Sequence, residues 1–124
     1  MRQIKRIIIH YSATDSGLYN HDAITNDHRV NRGFRDIGYH YTIDKSGNIR
    51  IGREIELAGA HTLGENYDSI GICLLGKQNF TKEQFTATRN LLKILLRAFK
   101  GCTIHTHSEY SNTPCPNFSL KEIL

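Results

Sequence analysis

The chain has 124 residues, a net charge of +4 and a pI of about 9.1, with 39% hydrophobic and 23% charged residues. This length predicts one domain, residues 1–124, and the composition is that of a globular protein rather than a disordered one. No apolar run approaches the roughly 18 residues that a membrane span needs, and no signal peptide is evident, so we expect synthesis in the cytoplasm and no membrane partner. The basic residues are scattered without a nucleic-acid-reading motif, so we expect no nucleic-acid partner.

Hydrophobic periodicity predicts a strand, a helix and a hairpin in the first half of the chain. Residues 5–11 are apolar and β-branched, which is typical of a buried strand. A polar loop separates them from residues 21–32, which we expect to form a short polar helix that ends before a glycine. Residues 39–44 then alternate as a strand, and a glycine-containing polar turn leads to the returning strand of the hairpin at 49–51.

In the second half of the chain, hydrophobic periodicity predicts a strand, a long helix and a last short strand. Residues 69–75 form another buried apolar run after an irregular stretch. The clearest helix spans 81–99, where Thr81 and Gln84 fit a capping box and apolar residues recur at helical spacing. Residues 103–107 then predict the final strand.

The element order β-α-β-β-β-α-β predicts an α/β fold with one mixed central sheet of about five strands, flanked by helices. We expect the strands at 5–11 and 103–107 to be neighbours in this sheet, which would bring their ends together. The loops that follow sheet strands are where α/β proteins place their functional sites. Candidate functional residues are therefore sought at these strand ends.

Three candidate metal ligands lie at or beyond the ends of these strands. His10 ends the first strand, His107 ends the last, and Cys115 lies eight residues further on between two prolines. Two imidazoles and one thiolate would supply three tetrahedral zinc ligands and leave the fourth position for water, the pattern of a catalytic site. Copper is disfavoured, because such a site normally adds an axial methionine and the sequence contains only Met1. The spacing leaves His105 and His107 equivalent, because both lie on the same face of a strand.

Several sequence blocks occur in a fixed order along the chain. They are IIHYSAT at 8–14, DIGYHY at 36–41, GAH at 59–61, SIGICL at 69–74, and HSE at 107–109 continuing to Cys115 and Pro116. In this order they resemble zinc-dependent N-acetylmuramoyl-L-alanine amidases of the phage lysozyme type and the related peptidoglycan-recognition proteins. The resemblance extends from about residue 5 to residue 121. The shared order of the blocks makes it specific, whereas any single block would be weak.

The resemblance implies one Zn²⁺ per chain, bound by His10, His107 and Cys115, because the family's second histidine stands eight residues before the cysteine. Tyr39 matches the family's tyrosine, whose hydroxyl faces the metal-bound water and the scissile carbonyl. Thr113 occupies the position of a lysine in the phage enzymes and of a threonine in catalytic recognition proteins. We therefore expect Tyr39 and Thr113 to be catalytic, with Thr113 the weaker donor because its hydroxyl carries no charge.

Three further residues are expected near this centre. His40 and His61 would line the cleft and contact the substrate, and Glu109 would either bond to an imidazole or transfer a proton. The implied reaction is hydrolysis of the amide between N-acetylmuramic acid and L-alanine in peptidoglycan, as in a phage or prophage endolysin. We expect peptidoglycan as the partner of a monomeric enzyme, which would reach the cell wall after export or release through a separate pore.

Three other functions fit part of the sequence. A peptidoglycan-binding module without activity is the first, and release of free stem peptide from cell wall would exclude it. A cysteine hydrolase using Cys115 with His107 is the second, but no oxyanion-forming glycines accompany the cysteine, and sensitivity to a chelator would discriminate it from a metal enzyme. A small nucleic-acid-binding protein is the third, and the net charge is its only support.

Overall fold

The fold consists of a central sheet and two helices, and the computed structural model describes residues 2–124. The order β-α-β-β-β-α-β is the one expected from periodicity. Two single 3₁₀ turns follow the last strand, at His107–Glu109 and Leu120–Glu122. The strands and helices are β1 (Arg6–Tyr11), α1 (His21–Val30), β2 (Tyr41–Ile43), β3 (Ile49–Ile51), β4 (Ser69–Leu74), α2 (Lys82–Ala98) and β5 (Thr103–Thr106).

The sheet has the strand order β3-β2-β4-β1-β5. β1 pairs in parallel with both β4 and β5, β2 pairs in parallel with β4, and β3 runs antiparallel to β2. The mixed sheet and the pairing of β1 with β5 confirm the predicted fold class. Central parallel strands are covered on both faces and therefore need continuous apolar sequence, which Ile7–Ile9 and Ile70–Leu74 supply.

The helix α2 packs its apolar face against one face of the sheet. Its capping box is present: the Thr81 hydroxyl oxygen accepts a hydrogen bond from the Gln84 N–H at 3.0 Å, and the Gln84 side chain accepts one from the Thr81 N–H at 3.2 Å. The buried side chains of Leu91, Leu92 and Leu95 join the sheet residues in one core. Burial of each leucine contributes about 1.5–3 kcal/mol relative to an exposed position, so this face fixes the helix on the sheet.

Alternation along β1 sends successive side chains to opposite faces of the sheet. Ile7 and Ile9 belong to the core under α2, whereas Ile8 and His10 point to the other face. The carboxyl ends of the parallel strands β1 and β5 meet at the same edge of the sheet, where His10 and His107 stand. This edge therefore positions the two histidines together. Within residues 2–124, neither helix combines the length and the apolar character that crossing a lipid bilayer requires.

Candidate active site

Three side chains converge at this edge of the sheet. His10 stands near the end of β1 and is buried, His107 begins the 3₁₀ turn that follows β5, and Cys115 lies in the next loop. The ligand atoms of the three residues all lie within 4.8 Å of one another, and Cys115 Sγ is 3.8 Å from His10 Nδ1. These atoms are close enough to bind one metal ion together.

Backbone hydrogen bonds hold Cys115 against the strand end. The Tyr11 N–H donates to Cys115 Sγ at 3.3 Å, and the Ser108 N–H donates to the Cys115 carbonyl at 2.9 Å. The Thr113 hydroxyl oxygen accepts a hydrogen bond from the Cys115 N–H at 3.3 Å. The cysteine loop is thereby attached to both β1 and the 3₁₀ turn that carries His107, so the three ligand atoms share one framework.

Burial sets the protonation of the three groups. It lowers the pKa of His10 well below its usual value and also lowers the pKa of His107, so both imidazoles are neutral at pH 7 and each keeps a lone pair. Burial raises the pKa of the Cys115 thiol to about 11, with a partial offset from the Tyr11 N–H. A cation held by the two lone pairs would favour the thiolate, because opposite charge stabilises the ionised form.

Tyr39 lies beside this cluster. Its ring centroid is 5.2 Å from that of His10, and its ring stacks at 6.5 Å from that of His61. Burial raises the pKa of the Tyr39 phenol well above its usual value, and the neighbouring thiols of Cys73 and Cys115 add to this rise. The phenol is therefore protonated at neutral pH and can donate a hydrogen bond.

A cleft of about 270 Å³ opens over these side chains. It is lined by the three candidate ligands together with Tyr39, His61 and Thr113. Residues of α1 and of the segments directly before and after it also line the cleft, among them Tyr19, Ile24, His28 and Arg32. The candidate ligands thus lie in a cleft that a substrate can reach.

The N-acetylmuramoyl-L-alanine amidase family model matches residues 1–118 of the chain. The chain belongs to this amidase family. A curated relative, the endolysin of Escherichia phage T7, is 37% identical over 98 residues, which cover 73% of this chain and 65% of the endolysin. The chain thus aligns with just under two thirds of the length of that relative. The family resemblance drawn from the sequence blocks is confirmed.

Solved structures of related proteins share the amidase-family fold. N-acetylmuramoyl-L-alanine amidase LysC from Clostridium intestinale URNW superimposes with a TM-score of 0.90 at 28% identity, covering 98% of this chain and 83% of LysC. Drosophila PGRP-LB superimposes with a TM-score of 0.84 at 26% identity, covering 94% of this chain and 76% of that one. The fold is therefore shared with both an N-acetylmuramoyl-L-alanine amidase and a peptidoglycan-recognition protein.

In this amidase-family site, the structure separates the two histidines that the spacing left equivalent. His107 joins the ligand cluster, whereas His105 contacts Thr103 and Glu109 at the sheet edge, at 2.6 Å and 3.1 Å. β5 ends at Thr106, so the alternation of a strand no longer applies to His107. The side chains of the two histidines consequently diverge.

Glu109 does not reach the ligand imidazoles. One carboxylate oxygen pairs with His105, and the other accepts a hydrogen bond from the Thr106 N–H at 2.6 Å. The imidazole to which Glu109 bonds is therefore that of His105, which lies outside the ligand cluster. Its carboxylate also caps the 3₁₀ turn, so the expected bond to an imidazole is made, but to His105 and not to a candidate metal ligand.

His40 does not line the cleft, contrary to the expectation from the sequence. It is 1% exposed, both ring nitrogens have backbone partners, and Arg2 Nη2 also lies 3.0 Å from Nε2. The Gly71 N–H donates to Nδ1 at 3.0 Å, and Nε2 donates to the Leu57 carbonyl at 2.8 Å. Tyr39 and His40 are adjacent in extended backbone, so when Tyr39 faces the cleft the next side chain points away from it. His40 is a structural residue.

His28 and Arg32 are among the cleft residues that were absent from the candidates chosen from the sequence. His28 lies on the buried face of α1, and its Nδ1 accepts a hydrogen bond from the Gly38 N–H at 2.9 Å. Arg32 follows the same helix and carries a positive charge to the cleft wall. The spacing of His21, Ile24 and His28 places all three on one helix face, and this period could have identified His28.

Proposed function

We propose that this chain is a zinc-dependent hydrolase of the amide between N-acetylmuramic acid and L-alanine in peptidoglycan. The observation that carries the proposal is the convergence of His10, His107 and Cys115 beside Tyr39 in a chain of the amidase family. The activity fits a cell-wall lytic enzyme, since a phage endolysin is among its relatives. Its partner would be the peptidoglycan substrate, and we expect it to act as a monomer.

The donor set of the site fits zinc. Tetrahedral zinc bonds of about 2.0–2.3 Å imply ligand atoms roughly 3.5 Å apart, and Cys115 Sγ lies 3.8 Å from His10 Nδ1. One Zn²⁺ per chain would then be held by His10, His107 and Cys115. When bound, zinc lowers the pKa of a coordinated water toward about 7 and polarises a carbonyl as a Lewis acid.

Tyr39 supplies a hydrogen-bond donor at the reacting carbonyl. Its phenol is protonated at neutral pH, and its ring lies next to His10 at the base of the cleft. Negative charge develops on the carbonyl oxygen of the amide as water attacks, and a donor already in place stabilises that charge without reorganisation. Tyr39 is therefore assigned the role of catalytic donor.

Thr113 contributes a second, weaker donor. Its hydroxyl oxygen accepts from the Cys115 N–H, so its own proton is free to point into the cleft that the residue lines. A neutral hydroxyl makes a hydrogen bond about half as strong as a charged ammonium would. The same side chain fixes the loop of Cys115, which gives Thr113 a part in both the metal site and the reaction.

The lining of the cleft suits a muramyl peptide. Tyr39, His61 and Thr113 line it together with Tyr19 and Arg32. The guanidinium of Arg32 places a positive charge where a carboxylate of the stem peptide can approach, and a charge-assisted pair of this kind orients the substrate. Substrate contact by His61 stays part of the proposal.

Product analysis of purified peptidoglycan tests the proposed reaction. Incubation with the zinc-loaded protein should release free stem peptides that begin with L-alanine, with the glycan chains left intact, as read by mass spectrometry. A chelator should abolish the release and added zinc should restore it. Binding to peptidoglycan without release would instead identify a recognition module.

A further inference from the structure

A chain of hydrogen bonds begins at Nε2 of His10, on the opposite side of the ring from Nδ1, the nitrogen on the metal side. Nδ1 of His10 faces Cys115, and Nε2 lies 2.9 Å from Nδ1 of His61. Nε2 of His61 in turn lies 3.4 Å from Oγ of Ser69, and that oxygen lies 2.6 Å from the backbone carbonyl of Glu65. Two side chains, those of His61 and Ser69, therefore connect a candidate metal ligand to a backbone carbonyl of the loop before β4.

The carbonyl at the end of this chain determines the direction of every bond in it. A carbonyl only accepts, so the Ser69 hydroxyl must donate to Glu65, and its oxygen is left to accept from His61 Nε2–H. A neutral imidazole carries one proton, so Nδ1 of His61 is then an acceptor, and His10 must donate to it from Nε2. The lone pair of His10 consequently stands on Nδ1, the nitrogen that faces Cys115.

The Thr62 hydroxyl is compatible with the same direction. This buried hydroxyl lies 2.9 Å from His61 Nδ1 and 3.2 Å from His10 Nε2. The hydroxyl can accept from the Nε2–H of His10 while donating to Nδ1 of His61. With the hydroxyl in this orientation His10 remains the donor, and the direction itself is set by the Ser69–Glu65 bond.

Two glycines allow the His61 ring to lie in this position. A Cβ at Gly59 would meet the ring Cδ2 at 2.5 Å, and a Cβ at Gly71 would meet the same atom at 2.5 Å. Both distances are shorter than a side chain tolerates, so any larger residue would displace the ring. The two glycines thus let the imidazole of His61 lie directly against the backbone at both positions.

We infer that His61 is a positioning residue that sets the tautomer and orientation of His10 for metal binding. The inference rests on the proposed zinc centre and adds to it a residue that does not touch the metal. Outer partners of metal-bound histidines typically change metal affinity or activity by about 10–100-fold. His61 would act through His10, with Ser69 and Thr62 as its supports.

Zinc retention against a competing chelator tests this role in the zinc-loaded protein, without peptidoglycan. His61→Leu should lose zinc at roughly 10–100-fold lower chelator concentration than the wild type. His61→Asn keeps an acceptor near the position of Nδ1 and should recover most of the affinity. His105→Leu is the matched control and should behave as the wild type. Wild-type zinc retention in His61→Leu would overturn the inference.

Imidazole nitrogen NMR of the wild-type zinc protein gives a second readout that needs no variant to fold. The expected pattern is a proton on Nε2 of His10, an unprotonated Nδ1 on His61 and a proton on Nε2 of His61. A proton on Nδ1 of His61 would overturn the assignment. Unchanged zinc retention in His10→Ala would instead refute the metal centre itself, so the two failures are distinguishable.

Discussion

Sγ of Cys115 lies 3.8 Å from Nδ1 of His10, although 105 positions separate the two residues in sequence. The contact depends on the Tyr11 N–H, which donates to the same sulfur at 3.3 Å. Tyr11 follows His10 directly, so the backbone of β1 positions both candidate ligands at once. The distance between them is therefore a property of the strand end and not of the cysteine loop alone.

Replacement of Cys115 tests the ligand set. Cys115→Ser should bind zinc much more weakly, because a hydroxyl is a poorer ligand for this metal than a thiolate. Metal analysis after dialysis should find one zinc per wild-type chain and far less in the variant. Cys102→Ser, a cysteine that belongs to the core, should keep the full zinc content. Retention of zinc in Cys115→Ser together with its loss in His105→Ala would mean that the ligands are wrongly assigned.

The fold was predictable because periodicity and caps act locally. The apolar runs of β1 and β4, and the Thr81–Gln84 capping box of α2, each depend on residues close together in sequence. The choice between His105 and His107 was not predictable from the residues alone. It depends on the end of β5 at Thr106, where neither glycine nor proline marks the boundary.

The error at His40 has a different origin. Its partners, the Leu57 carbonyl and the Gly71 N–H, lie 17 and 31 positions away, so no local pattern indicates that both ring nitrogens are used. Proximity to Tyr39 in sequence suggested a shared site, whereas extended backbone sends neighbouring side chains apart. The network of His61, Thr62 and Ser69 was missed for the same reason, since it forms through contacts across the sheet.

Removal of the Tyr39 hydroxyl should reduce turnover while leaving the metal in place. Tyr39→Phe retains the ring beside His10, so zinc content and thermal unfolding should match the wild type. Loss of one oxyanion donor typically costs about 100- to 1,000-fold in turnover. Peptide release from peptidoglycan measures the effect, with the exposed Tyr67→Phe as control. Wild-type turnover in Tyr39→Phe would reduce Tyr39 to a structural residue.

Acid should destabilise the protein in part through His40. Burial lowers the pKa of His40 to about 4, against 6.5 in the unfolded chain. Between these values only the unfolded chain takes up the proton, so stability is complete above about pH 6.5 and falls as the pH drops toward 4. The difference corresponds to about 3 kcal/mol. Urea unfolding should show that the difference in free energy of unfolding between the wild type and His40→Gln narrows as the pH falls from 6.5 to about 4. A difference that stays constant with pH would contradict this role of His40.

Arg2 should stabilise the long loop that carries His61. Its guanidinium donates to the carbonyls of Ile55, Tyr67 and Ser69 at 3.0, 3.0 and 2.8 Å. Arg2→Ala leaves these carbonyls without their charged donor and should cost about 2–3 kcal/mol in urea unfolding. Arg2→Lys should recover part of the loss, because an ammonium cannot reproduce the planar fork.

Hydrogen exchange localises the effect of Arg2. Amides between residues 55 and 69 should lose protection in Arg2→Ala, while those of α2 should change only with global stability. Lys5→Ala replaces an exposed cation of the same N-terminal segment and serves as control. Equal protection of the loop in Arg2→Ala and the wild type would show that the loop does not depend on Arg2.

Thr113 is expected both to donate a hydrogen bond to the oxyanion and to hold the Cys115 loop, and two substitutions can distinguish these roles. Thr113→Val removes the donor to the oxyanion and the acceptor of the Cys115 N–H at nearly constant shape. One neutral hydrogen bond is worth about 0.5–1.5 kcal/mol, so turnover should fall by up to roughly tenfold, less than for Tyr39→Phe. Thr113→Ser keeps the hydroxyl and should retain most of the turnover. Reduced turnover of Thr113→Val at full zinc content would support the role of Thr113 as a hydrogen-bond donor. Reduced zinc content would support its role in holding the Cys115 loop. No change in turnover or zinc content would exclude both roles.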